Sequence, residues 1–259
     1  MRIATWNVNS VKAHLEAVTR WLVEAKPDVV CLQEIKCEDH NFPTAIFEEL
    51  NYNCAVLGQK TYNGVALLSK SPLENVVRGL PGDDSDEQSR YIQATVVEGS
   101  RGVTVACIYL PNGNPTDTPK YDYKLAWMDR LIAHARGLLK LEEPFALLGD
   151  YNVIPKAMDA KTPAQWVNDA LFLPATRAKF QELTAMGLTD AFRGLHPTAL
   201  NQYTFFDYQA GAWQRGNGIR IDHALLSPQA ADMLKATHIE QHVRGWEKPS
   251  DHVPLVIEI

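Results

Sequence analysis

Short apolar runs of strand length recur along this chain and alternate with stretches of helical periodicity. The clearest are residues 28–33 (DVVCLQ) and 145–150 (FALLGD), in which apolar side chains follow one another without polar alternation. A strand with this pattern is covered on both faces, by helices or by a second sheet. The pattern therefore favours an α/β architecture in which mixed β-sheets are covered by helices.

The rest of the chain supplies the elements that such an architecture needs. Strands are predicted at residues 2–8, 91–97, 102–109, 219–226 and 253–259 and in the segments NCAVLG and NGVALLSK, with a hairpin turn at EGSRG. Helices are predicted at residues 43–50, 121–140, 163–170 and 174–187. A further helix is expected to be capped by Ser10 and to end at Pro27. Because the chain contains no low-complexity linker, we predict one domain over residues 1–259.

The charge balance at first argues against a nucleic-acid partner. Lys and Arg number 25 and Asp and Glu number 31, which gives a formal net charge of −6, whereas a protein that grips phosphates usually has a basic face. The strongest charge run, DDSDE at residues 83–87, is predicted to be a solvated loop. Because net charge is an average over the whole chain, it does not exclude a basic groove within an acidic protein.

The four cysteines do not form a metal or redox motif. Cys31, Cys37, Cys54 and Cys107 include no C-x-x-C pair, so we expect buried, reduced thiols rather than a zinc knuckle, a thioredoxin-type motif or disulfides. The first residues contain no signal-peptide apolar region, and nowhere do about 18 apolar residues follow one another. We therefore expect a soluble, cytoplasmic protein with no membrane partner.

Polar side chains gather where the predicted strands end or begin. They are Asn7, Asn9, Glu34, Tyr109, Asp150, Asn152, Asp222, His223, Asp251 and His252. Because open α/β sheets bind ligands at strand ends, these groups would form one oxygen-rich pocket. Carboxylates, amide oxygens and water are the ligands that hard cations such as Mg²⁺ prefer. Zinc is a poor fit because no cysteine belongs to the pattern.

Each of these residues, taken alone, also has an ordinary structural explanation. Asp150 follows a glycine and fits a turn, Glu34 fits a surface acid in an ion pair, and Tyr109 fits a packing residue. The SDH segment at residues 250–252 fits a turn cap. Only their joint occurrence at strand ends favours a functional site.

Taken together, these segments resemble the exonuclease III family of apurinic/apyrimidinic (AP) endonucleases, within the wider endonuclease/exonuclease/phosphatase superfamily. The resemblance covers nearly the whole chain in order. Its segments are TWNVNSVKAH, PDVVCLQEIK, YNGVALLSK, IYLPNG, LLGDYNV, NGIRIDHALLS and EKPSDHVPLV. The patterns GDxN and SDHxP fit the superfamily as a whole, whereas LQEIK, YLPNG and EKPSDH are more specific and indicate its DNA-repair branch.

The resemblance implies a four-layer α/β sandwich, in which two packed mixed β-sheets are flanked by helices and the site lies at one edge. It implies a Mg²⁺-dependent phosphodiester hydrolase, with Mn²⁺ able to substitute, that incises double-stranded DNA 5′ to abasic sites. It leaves 3′→5′ exodeoxyribonuclease and 3′-phosphatase activity at blocked 3′ ends open as further activities. It also implies a monomer.

The resemblance assigns roles to the residues that match its segments. The implied metal ligands are Asn7, Glu34, Asp150, Asn152, Asp251 and His252. The implied catalytic residues are Tyr109, Asp150, Asn152, Asp222 and His252. Glu34 would be the principal metal ligand, and Asp251 would be either a second ligand or a support for the fold. Whether one metal ion or two are held stays open.

These residue types suit the hydrolysis of a phosphodiester. Negative charge grows on the phosphate oxygens during the reaction, and a divalent ion can neutralise it. Asp150 is the candidate general base for water. Asn152 and His252 can donate hydrogen bonds to the phosphate, each worth roughly 3–4 kcal/mol in comparable sites. Asp222 would hold His252 as an imidazolium, and Tyr109 would act either as a proton donor or, if ionised, as a nucleophile.

DNA contacts are predicted for residues further along the same segments. YTFFDY matches an aromatic segment of the family and makes Phe205, with Ile221 beside it, the candidate wall of a pocket for the abasic sugar. Asn112 in YLPNG is a candidate phosphate contact. Asn63 and Arg90 are candidates for contacts with the DNA backbone. Core packing for Phe205 and a turn role for Asn112 are the alternatives.

Two other functional classes stay open at this point. One is a phosphoesterase of the same superfamily that acts on lipid or inositol phosphate headgroups. The other is a DNA-binding module without catalysis. The sequence offers no apolar insertion loop for the first, and the second would require the loss of site residues, all of which are present.

The net charge has a different meaning under the DNA-repair interpretation. Four acids belong to the candidate site and four more to the DDSDE loop, and setting these eight aside changes the net charge from −6 to +2. We therefore predict that Lys and Arg are concentrated around the strand-end pocket. The affinity for DNA would be modest and sensitive to salt.

Overall fold

Two six-stranded β-sheets form the centre of the protein. The computed structural model describes residues 1–99 and 101–259. The first sheet contains β1 (Arg2–Asn7), β2 (Val29–Gln33), β3 (Asn53–Leu57), β4 (Val65–Ser69), β11 (Ala236–Ile239) and β12 (Leu255–Glu258). The second contains β5 (Leu73–Arg78), β6 (Tyr91–Glu98), β7 (Arg101–Tyr109), β8 (Phe145–Asp150), β9 (Thr189–Asp190) and β10 (Asp222–Leu226). The strand orders are β11-β12-β1-β2-β4-β3 and β5-β6-β7-β8-β10-β9.

Helices cover the outer faces of these sheets. They are α1 (Leu15–Ala25), α2 (Thr44–Glu49), α3 (Pro119–Leu139), α4 (Pro174–Ala185), α5 (Ala191–Leu195) and α6 (Pro228–Ala231). Short 3₁₀ helices lie at Asp39–Asn41, Ala157–Asp159, Pro163–Gln165, Gln209–Gly211 and Gln241–Gly245. Among the described residues, no helix is both long enough and apolar enough to cross a membrane.

Both sheets are mixed, and each has a parallel pair of strands. β1 runs parallel to β2 and antiparallel to β12. β7 runs parallel to β8, which is antiparallel to β10. Parallel neighbours bring their carboxyl ends to the same edge, and an antiparallel neighbour brings its amino end there. This topology gathers the polar residues that follow β1, β2, β7 and β8 with those that precede β10 and β12.

Alternate side chains of each strand fill different layers of the core. Along β1, Ile3 faces the layer between the sheets, whereas Trp6 packs with α1. Along β8, Leu148 faces the layer between the sheets, whereas Leu147 packs with α3 and α4. All four side chains are fully buried. Both faces of each sheet are therefore covered, and the predicted four-layer sandwich is confirmed.

Most of the predicted elements are confirmed to within a few residues. These are the strands at 2–8, 28–33, 91–97, 102–109, 145–150 and 253–259, the strands in NCAVLG and NGVALLSK, and the helices at 43–50, 121–140 and 174–187. β6 and β7 form the predicted hairpin, with Glu98 opposite Arg101. Ser100 of its turn lies outside the described residues.

Ser10 does not cap α1, contrary to the prediction. Its Oγ accepts a hydrogen bond from the Ala13 amide at 3.3 Å, so it closes a turn that precedes the helix. Its own amide donates to the Glu34 carbonyl at 2.7 Å. This bond to the segment after β2 holds the chain away from helical geometry until Leu15, where α1 begins. The helix ends at Ala25, two residues before Pro27.

The helix predicted at residues 163–170 is wrong. Only Pro163–Gln165 is helical, as a 3₁₀ turn. The following backbone is held by Asn114, whose side chain accepts from the Ala170 amide at 3.1 Å and donates to Asp169 at 3.1 Å. These side-chain bonds to a distant loop replace the local bonds of a helix.

The strand predicted at 219–226 begins only at Asp222. Ile219 instead forms isolated bridges with Ala160 and Phe205. The apolar run therefore leaves the sheet before β10 and forms part of the wall of the pocket described below.

The DDSDE loop is not wholly solvated. Asp86 has a buried carboxylate that forms an ion pair with Arg130 of α3 at 2.7 Å and accepts a hydrogen bond from Tyr123 at 3.0 Å. The residues on either side of Asp86 are exposed, as predicted. Periodicity could not reveal this contact, because its partners lie some 40 residues later in the sequence. The four cysteines are free thiols, and Cys31, Cys37 and Cys107 are buried as expected, whereas Cys54 is only partly buried.

Candidate functional site

Strand pairing places the predicted site residues at one edge of the double sheet. Tyr109 and Asp150 are opposite each other in the parallel pair of β7 and β8. Asp222 is opposite Asp150 across the antiparallel pair of β8 and β10. Asn7 ends β1, and its amide nitrogen donates to Asp150 Oδ2 at 2.9 Å, which joins the two sheets. The site therefore lies between the ends of the two sheets, where the resemblance places it.

Backbone geometry turns key side chains out of their strands. Glu34 and Asn152 both have left-handed φ values, 51° and 48°. Such conformations are uncommon for residues other than glycine and cluster at functional sites. Gly149 precedes Asp150 at a point where β7 and β8 approach closely, and a Cβ atom there would lie 1.9 Å from the Ile108 carbonyl oxygen. A glycine is therefore required immediately before this aspartate.

Asn7 connects two of the carboxylates. Its Nδ2 donates to Glu34 Oε1 at 2.8 Å as well as to Asp150. Its Oδ1 accepts from the Asn9 amide at 3.0 Å. The amide nitrogen, not the oxygen, thus faces the acids. In this arrangement Asn7 orients the carboxylates, and the expectation that it is itself a metal ligand gains no support.

His252 lies between two carboxylates. Its Nδ1 is 2.8 Å from Asp222 Oδ2, and its Nε2 is 3.8 Å from Asp150 Oδ2. Burial alone would lower the pKa of His252, but Asp222 and Asp150 outweigh it and raise the pKa to about 10. The imidazole is therefore protonated at neutral pH, as expected from the Asp222 contact.

For Asp150, the effect of burial on the pKa outweighs that of the neighbouring positive charge and hydrogen bonds. Burial raises its pKa to about 7, with a further contribution from Asp222, although His252 and the Asn7 hydrogen bond lower it. A carboxylate with a pKa near neutrality can accept a proton at the pH at which it works. Its Oδ1 also accepts from the Asn152 amide at 2.9 Å, which fixes the direction of the carboxylate.

Glu34 and Tyr109 face the same cluster. Burial would raise the pKa of Glu34, but the Asn7 hydrogen bond and Lys36, at 2.9 Å from Oε2, lower it overall. Burial, together with Glu34 and Asp150, raises the pKa of Tyr109 well above its usual value, although Arg90 opposes this shift. Tyr109 is therefore neutral, which favours a proton donor over an ionised nucleophile.

Three of these residues form a cluster that could hold a cation. One ligand atom from each of Asp150, Asp222 and His252 lies within 4.8 Å of the others. Asp222 Oδ1 is buried and has no hydrogen-bond partner among the residues that the structure describes. Such an atom is costly to bury unless something pairs with it. The carboxylates of Asp150 and Asp222, with Glu34 nearby, are therefore suited to a divalent cation, whereas His252 cannot be a ligand while its imidazole is protonated.

A pocket of about 200 Å³ opens onto this cluster and is hereafter the site pocket. Its lining residues are Glu34, Tyr109, Asn112, Asn114, Asp150, Asn152, Trp166, Asp169, Leu171, Phe205, Asp207, Ile219, Ile221, Asp251 and His252. The ring of Phe205 packs edge-on against His252 at a centroid distance of 5.0 Å. Asn112 donates to Asn152 Oδ1 at 3.1 Å, so the two amides form one chain along the wall.

The four predicted DNA contacts fall into two groups. Asn112 and Phe205 line the site pocket, as does Ile221. Asn63 and Arg90 do not belong to that lining. Arg90 instead lies over the Tyr109 ring at 4.8 Å and donates to the Tyr109 carbonyl at 3.3 Å. Asn63 is nearly buried and donates to Gln59 at 2.9 Å.

Asp251 is held by residues outside the charged cluster. Its Oδ1 accepts from Asn9 at 3.3 Å and from Ser250 at 3.3 Å. It lines the site pocket but does not belong to the compact cluster of Asp150, Asp222 and His252. The contacts with Asn9 and Ser250 fit its role as a support for the fold, one of the two alternatives.

Sequence reasoning missed several residues of the wall. Trp166, Asn114 and Asp169 line the site pocket, but the first and last lay in a segment predicted to be helical. Ile219 was assigned to a strand. The pocket wall is built from irregular segments, and the only sequence signal for it was the aromatic and amide content of those segments.

Sequence reasoning also missed Lys124, which holds the backbone of two loops that line the site pocket. It is fully buried in α3, and its Nζ donates to the carbonyls of Pro111, Asn112 and Asn152. Burial lowers the pKa of Lys124 to about 7, although Asp150 and Asp169 oppose this shift. A Cβ at Gly113 would lie 2.6 Å from Lys124 Cδ, which explains the glycine of the YLPNG segment.

The prediction of a basic rim is not met at the site pocket itself. Its described lining includes the acids Glu34, Asp150, Asp169, Asp207 and Asp251 and contains no Lys or Arg. Lys36, Arg90 and Lys124 contact residues that line the pocket, but they do not line it themselves. An acidic lining is what a cation site requires, because the ion and not the protein then supplies the positive charge.

Comparison with known proteins relates this geometry to a family. The model of the endonuclease/exonuclease/phosphatase family matches residues 4–252. The whole chain is 34% identical to the exodeoxyribonuclease III of Haemophilus influenzae, of which the alignment covers 99%.

Solved structures share the complete fold. An AP endonuclease from Archaeoglobus fulgidus superimposes with a TM-score of 0.94 at 37% identity, over 99% of this chain and 98% of that one. The 3′ phosphatase NExo from Neisseria, bound to a product DNA hairpin, superimposes with a TM-score of 0.94 at 39% identity, over 100% and 99% of the two chains.

Proposed function

The chain belongs to the endonuclease/exonuclease/phosphatase family, and from this membership we propose that it is a DNA-repair nuclease that hydrolyses phosphodiesters and incises double-stranded DNA 5′ to abasic sites. Residues 1–259 act as one catalytic domain and as a monomer. The enzyme also removes nucleotides and phosphate groups from 3′ ends, in line with the names of the exodeoxyribonuclease III and 3′ phosphatase relatives.

One observation carries the proposal: the imidazole of His252 and the carboxylate of Asp150 lie side by side in an acidic pocket. His252, held by Asp222 at 2.8 Å, offers a charged N–H toward the pocket. Asp150, whose pKa is near 7, lies 3.8 Å away. An acid–base pair of this kind suits attack by water on a phosphate group whose charge must be stabilised.

A divalent cation completes the charge balance, and we assign it as Mg²⁺, with Mn²⁺ able to substitute. Glu34 provides the principal carboxylate, with Asp150 and Asn152 on the same wall of the pocket. Oxygen-rich sites of this kind suit Mg²⁺ better than zinc. When bound, the cation neutralises charge on the phosphate and orients it.

The side chains of the site accept the proton of water and donate hydrogen bonds to the phosphate. Asp150 accepts the proton of the attacking water. His252 donates a hydrogen bond to a non-bridging phosphate oxygen, and Asn152 adds the amide N–H that is not used by the Leu110 carbonyl. Neutral Tyr109, at the end of β7 next to Asp150, donates a hydrogen bond to the phosphate. Each such donor contributes roughly 3–4 kcal/mol to stabilising the transition state.

The apolar side of the site pocket explains a preference for abasic sites. Phe205, Ile219, Ile221 and Leu171 form this side. A deoxyribose without a base can enter a small apolar pocket, and extruding it from the duplex costs little because no base is unstacked. A volume of about 200 Å³ suits a sugar better than a complete nucleoside.

An incision assay tests the proposal. A 5′-labelled duplex with one abasic analogue is incubated with the protein and Mg²⁺, then with EDTA, and then with Mg²⁺ restored. We expect incision 5′ to the lesion that is lost on chelation and recovered on restoration, with the undamaged duplex as control. Release of phosphate from inositol phosphates or lipid vesicles without incision would contradict the proposal, as would DNA binding without cleavage.

A further inference from the structure

The backbone of His252 is held by two side chains and not by a neighbouring strand. His252 lies opposite Phe205 in an isolated antiparallel bridge. The hydrogen bonds of this bridge are made by the residues on either side, so the two form a non-hydrogen-bonded pair. The amide and the carbonyl of His252 therefore have other partners. Ser250 Oγ accepts from the amide at 3.2 Å, and Trp6 Nε1 donates to the carbonyl at 3.0 Å.

These two side chains connect His252 to the end of β1. Trp6 is the penultimate residue of that strand, and Ser250 Oγ donates to the carbonyl of Asn7, its last residue, at 2.8 Å. Asn7 Nδ2 donates in turn to Asp150 Oδ2 at 2.9 Å. Trp6, Asn7 and Ser250 are fully buried, so water does not compete for these bonds. The end of β1 thus sets where the imidazole stands relative to the carboxylate.

The imidazole and the carboxylate are close together but not in direct contact. His252 Nε2 and Asp150 Oδ2 lie 3.8 Å apart, whereas a hydrogen bond between a charged nitrogen and a carboxylate is about 2.7–2.9 Å long. Both groups are buried, and an imidazolium attracts an ionised carboxylate strongly where water is excluded. In direct contact they would engage both the N–H that the phosphate needs and the oxygen that the attacking water needs.

We propose that Ser250 and Trp6 are positioning residues that hold His252 apart from Asp150 and so keep both groups available for the reaction. The inference rests on the proposed function, in which Asp150 accepts a proton and His252 donates to the phosphate. Neither Ser250 nor Trp6 belongs to the described lining of the site pocket, so each acts through the backbone of His252. Asp222, at 2.8 Å from Nδ1, fixes the direction of the ring, and the two positioning residues fix its place.

Ser227 provides a matched comparison elsewhere in the fold. It is also a fully buried serine, and it follows the end of β10 that is remote from the site. Its Oγ donates to one carbonyl and accepts from two amides, at distances of 3.0–3.3 Å, and these belong to Glu143, Phe145 and Ala230. Removing its hydroxyl therefore breaks as many backbone bonds as removing that of Ser250, without touching His252.

The kinetic test compares Ser250→Ala, Ser250→Cys and Trp6→Phe with the wild-type protein on the abasic duplex. A misplacement of about 1 Å can cost about 10²-fold in rate, so we expect kcat to fall about 10- to 100-fold in each variant. KM should stay within about twofold of wild type, because neither side chain contacts the substrate. Cysteine has nearly the shape of serine but forms only weak hydrogen bonds, so Ser250→Cys should resemble Ser250→Ala if bonding and not packing is responsible.

Crystal structures of the variants, grown in EDTA without DNA, measure the cause directly. We expect the distance between His252 Nε2 and Asp150 Oδ2 to shorten from 3.8 Å toward direct contact. Ser227→Ala should lower the urea midpoint about as much as Ser250→Ala and leave both kcat and this distance unchanged. Should Ser250→Ala not fold, Ser250→Cys and Trp6→Phe supply the same two measurements.

Three results would each overturn the inference. They are a kcat within about twofold of wild type in the Ser250 and Trp6 variants, an equal loss of kcat in Ser227→Ala, and a loss of kcat while the distance stays at 3.8 Å. Because the distance is measured without substrate, it tests the inference even if the wild-type protein fails to incise the duplex. That failure would overturn the proposed function instead.

Discussion

At the scale of single residues, the site depends on two groups whose charges are set by their neighbours. His252 is buried, yet Asp222 and Asp150 keep it protonated. Asp150 is also buried, and burial brings its pKa close to neutrality. Neither effect requires a residue of unusual chemistry. Both follow from placing acids of three different strand ends or loops within a few ångströms of one imidazole.

Replacing Asp150 by asparagine tests the general base. Asp150→Asn keeps the shape of the side chain but removes the proton acceptor, so we expect the incision rate to fall ~10²–10⁴-fold. The far-UV circular dichroism and the urea midpoint should stay close to wild type. Asp129→Asn, an exposed aspartate on α3, is the control. A variant that retains more than about a tenth of the wild-type rate would exclude this role.

Replacing Asp222 by asparagine tests the charge of His252. Without the Asp222 carboxylate, burial is less opposed and the pKa of His252 should fall well below its wild-type value of about 10. Histidine ¹⁵N resonances followed by NMR against pH, in EDTA, measure this change directly. We also expect incision to slow by at least about 10²-fold, because the donated N–H loses its charge near neutral pH.

Asp232→Asn provides the comparison for this experiment. Asp232 is exposed and lies just after α6, without a contact to His252. Its substitution should leave the His252 titration unchanged. An Asp222→Asn protein in which His252 titrates as in the wild type would show that Asp150 alone maintains the imidazolium.

The residues of the cluster could be predicted from the sequence because each follows or precedes a recognisable strand. Glu34 and Asp150 end apolar runs that are hard to mistake, and the resemblance covers both. Lys124 could not be predicted in this way. A lysine on an amphipathic helix is ordinarily solvated, and only the carbonyls of two distant loops make its burial possible.

At the scale of elements, the loops after β7 and β8 act together because α3 ties them to one another. Lys124→Met removes the donor that serves three carbonyls, of which those of Pro111 and Asn152 are buried and that of Asn112 is partly buried. We expect the free energy of unfolding to fall by about 3 kcal/mol, because unpaired buried groups cost roughly 1–3 kcal/mol each. We also expect kcat to fall, since both asparagines line the site pocket.

Lys120→Met is the control on the same helix. Lys120 lies one turn before Lys124 and is exposed, so its substitution should change the urea midpoint and kcat little. Equal stability of the two variants would contradict the assigned role of Lys124. A loss of stability without any change in kcat would limit that role to the fold.

The elements that were predicted wrongly are those governed by distant partners. The 163–170 segment has helical spacing, but Asn114 holds its backbone in turns. Ser10 has the residue type of a helix cap, but its amide bonds to the segment after β2. In both cases tertiary hydrogen bonds outweigh a weak local preference. These irregular segments nevertheless line or flank the candidate site, where departures from local rules are common.

At the scale of the whole molecule, the layer order was predictable and the charge distribution was not. Runs that are apolar on both faces require a covered sheet, and the two six-stranded sheets with outer helices provide it. The expected ring of Lys and Arg around the site pocket is absent from its described lining. The net charge includes charged residues that pair with each other inside the protein, such as Arg220 with Asp159 and Asp190. These charges are unavailable to DNA.

That ion pair network makes the stability of the fold depend on pH. Arg220 is fully buried and donates to His223 Nδ1 at 2.9 Å, and His223 Nε2 lies 2.9 Å from the Val153 carbonyl. Because Nδ1 must accept, His223 is neutral when folded. Burial and the Arg220 charge lower its pKa from 6.5 to about 4, although Asp190 opposes this shift.

Between pH 6.5 and about 4 the unfolded chain therefore binds a proton at His223 that the folded protein does not bind. The contribution of this residue to the free energy of unfolding is full above pH 6.5 and is lost as the pH falls through that interval, by roughly 3 kcal/mol in all. The pKa values of Asp159 and Asp190 are lowered below 3.8. Their contributions are lost only at more acidic pH.

A His223→Gln variant isolates this effect. Glutamine offers an acceptor to Arg220 and a donor to Val153 but does not titrate, so the stability of the variant relative to wild type should rise steadily as the pH is lowered from 7.5 toward 4.5. Urea unfolding of both proteins at several pH values measures the difference between their free energies of unfolding. Groups with shifted pKa values that both proteins share, such as Asp150, contribute equally to the two values and cancel in the difference. A difference that stays constant with pH would mean that His223 binds its proton at the same pH in the folded and the unfolded protein, which would contradict the lowered pKa.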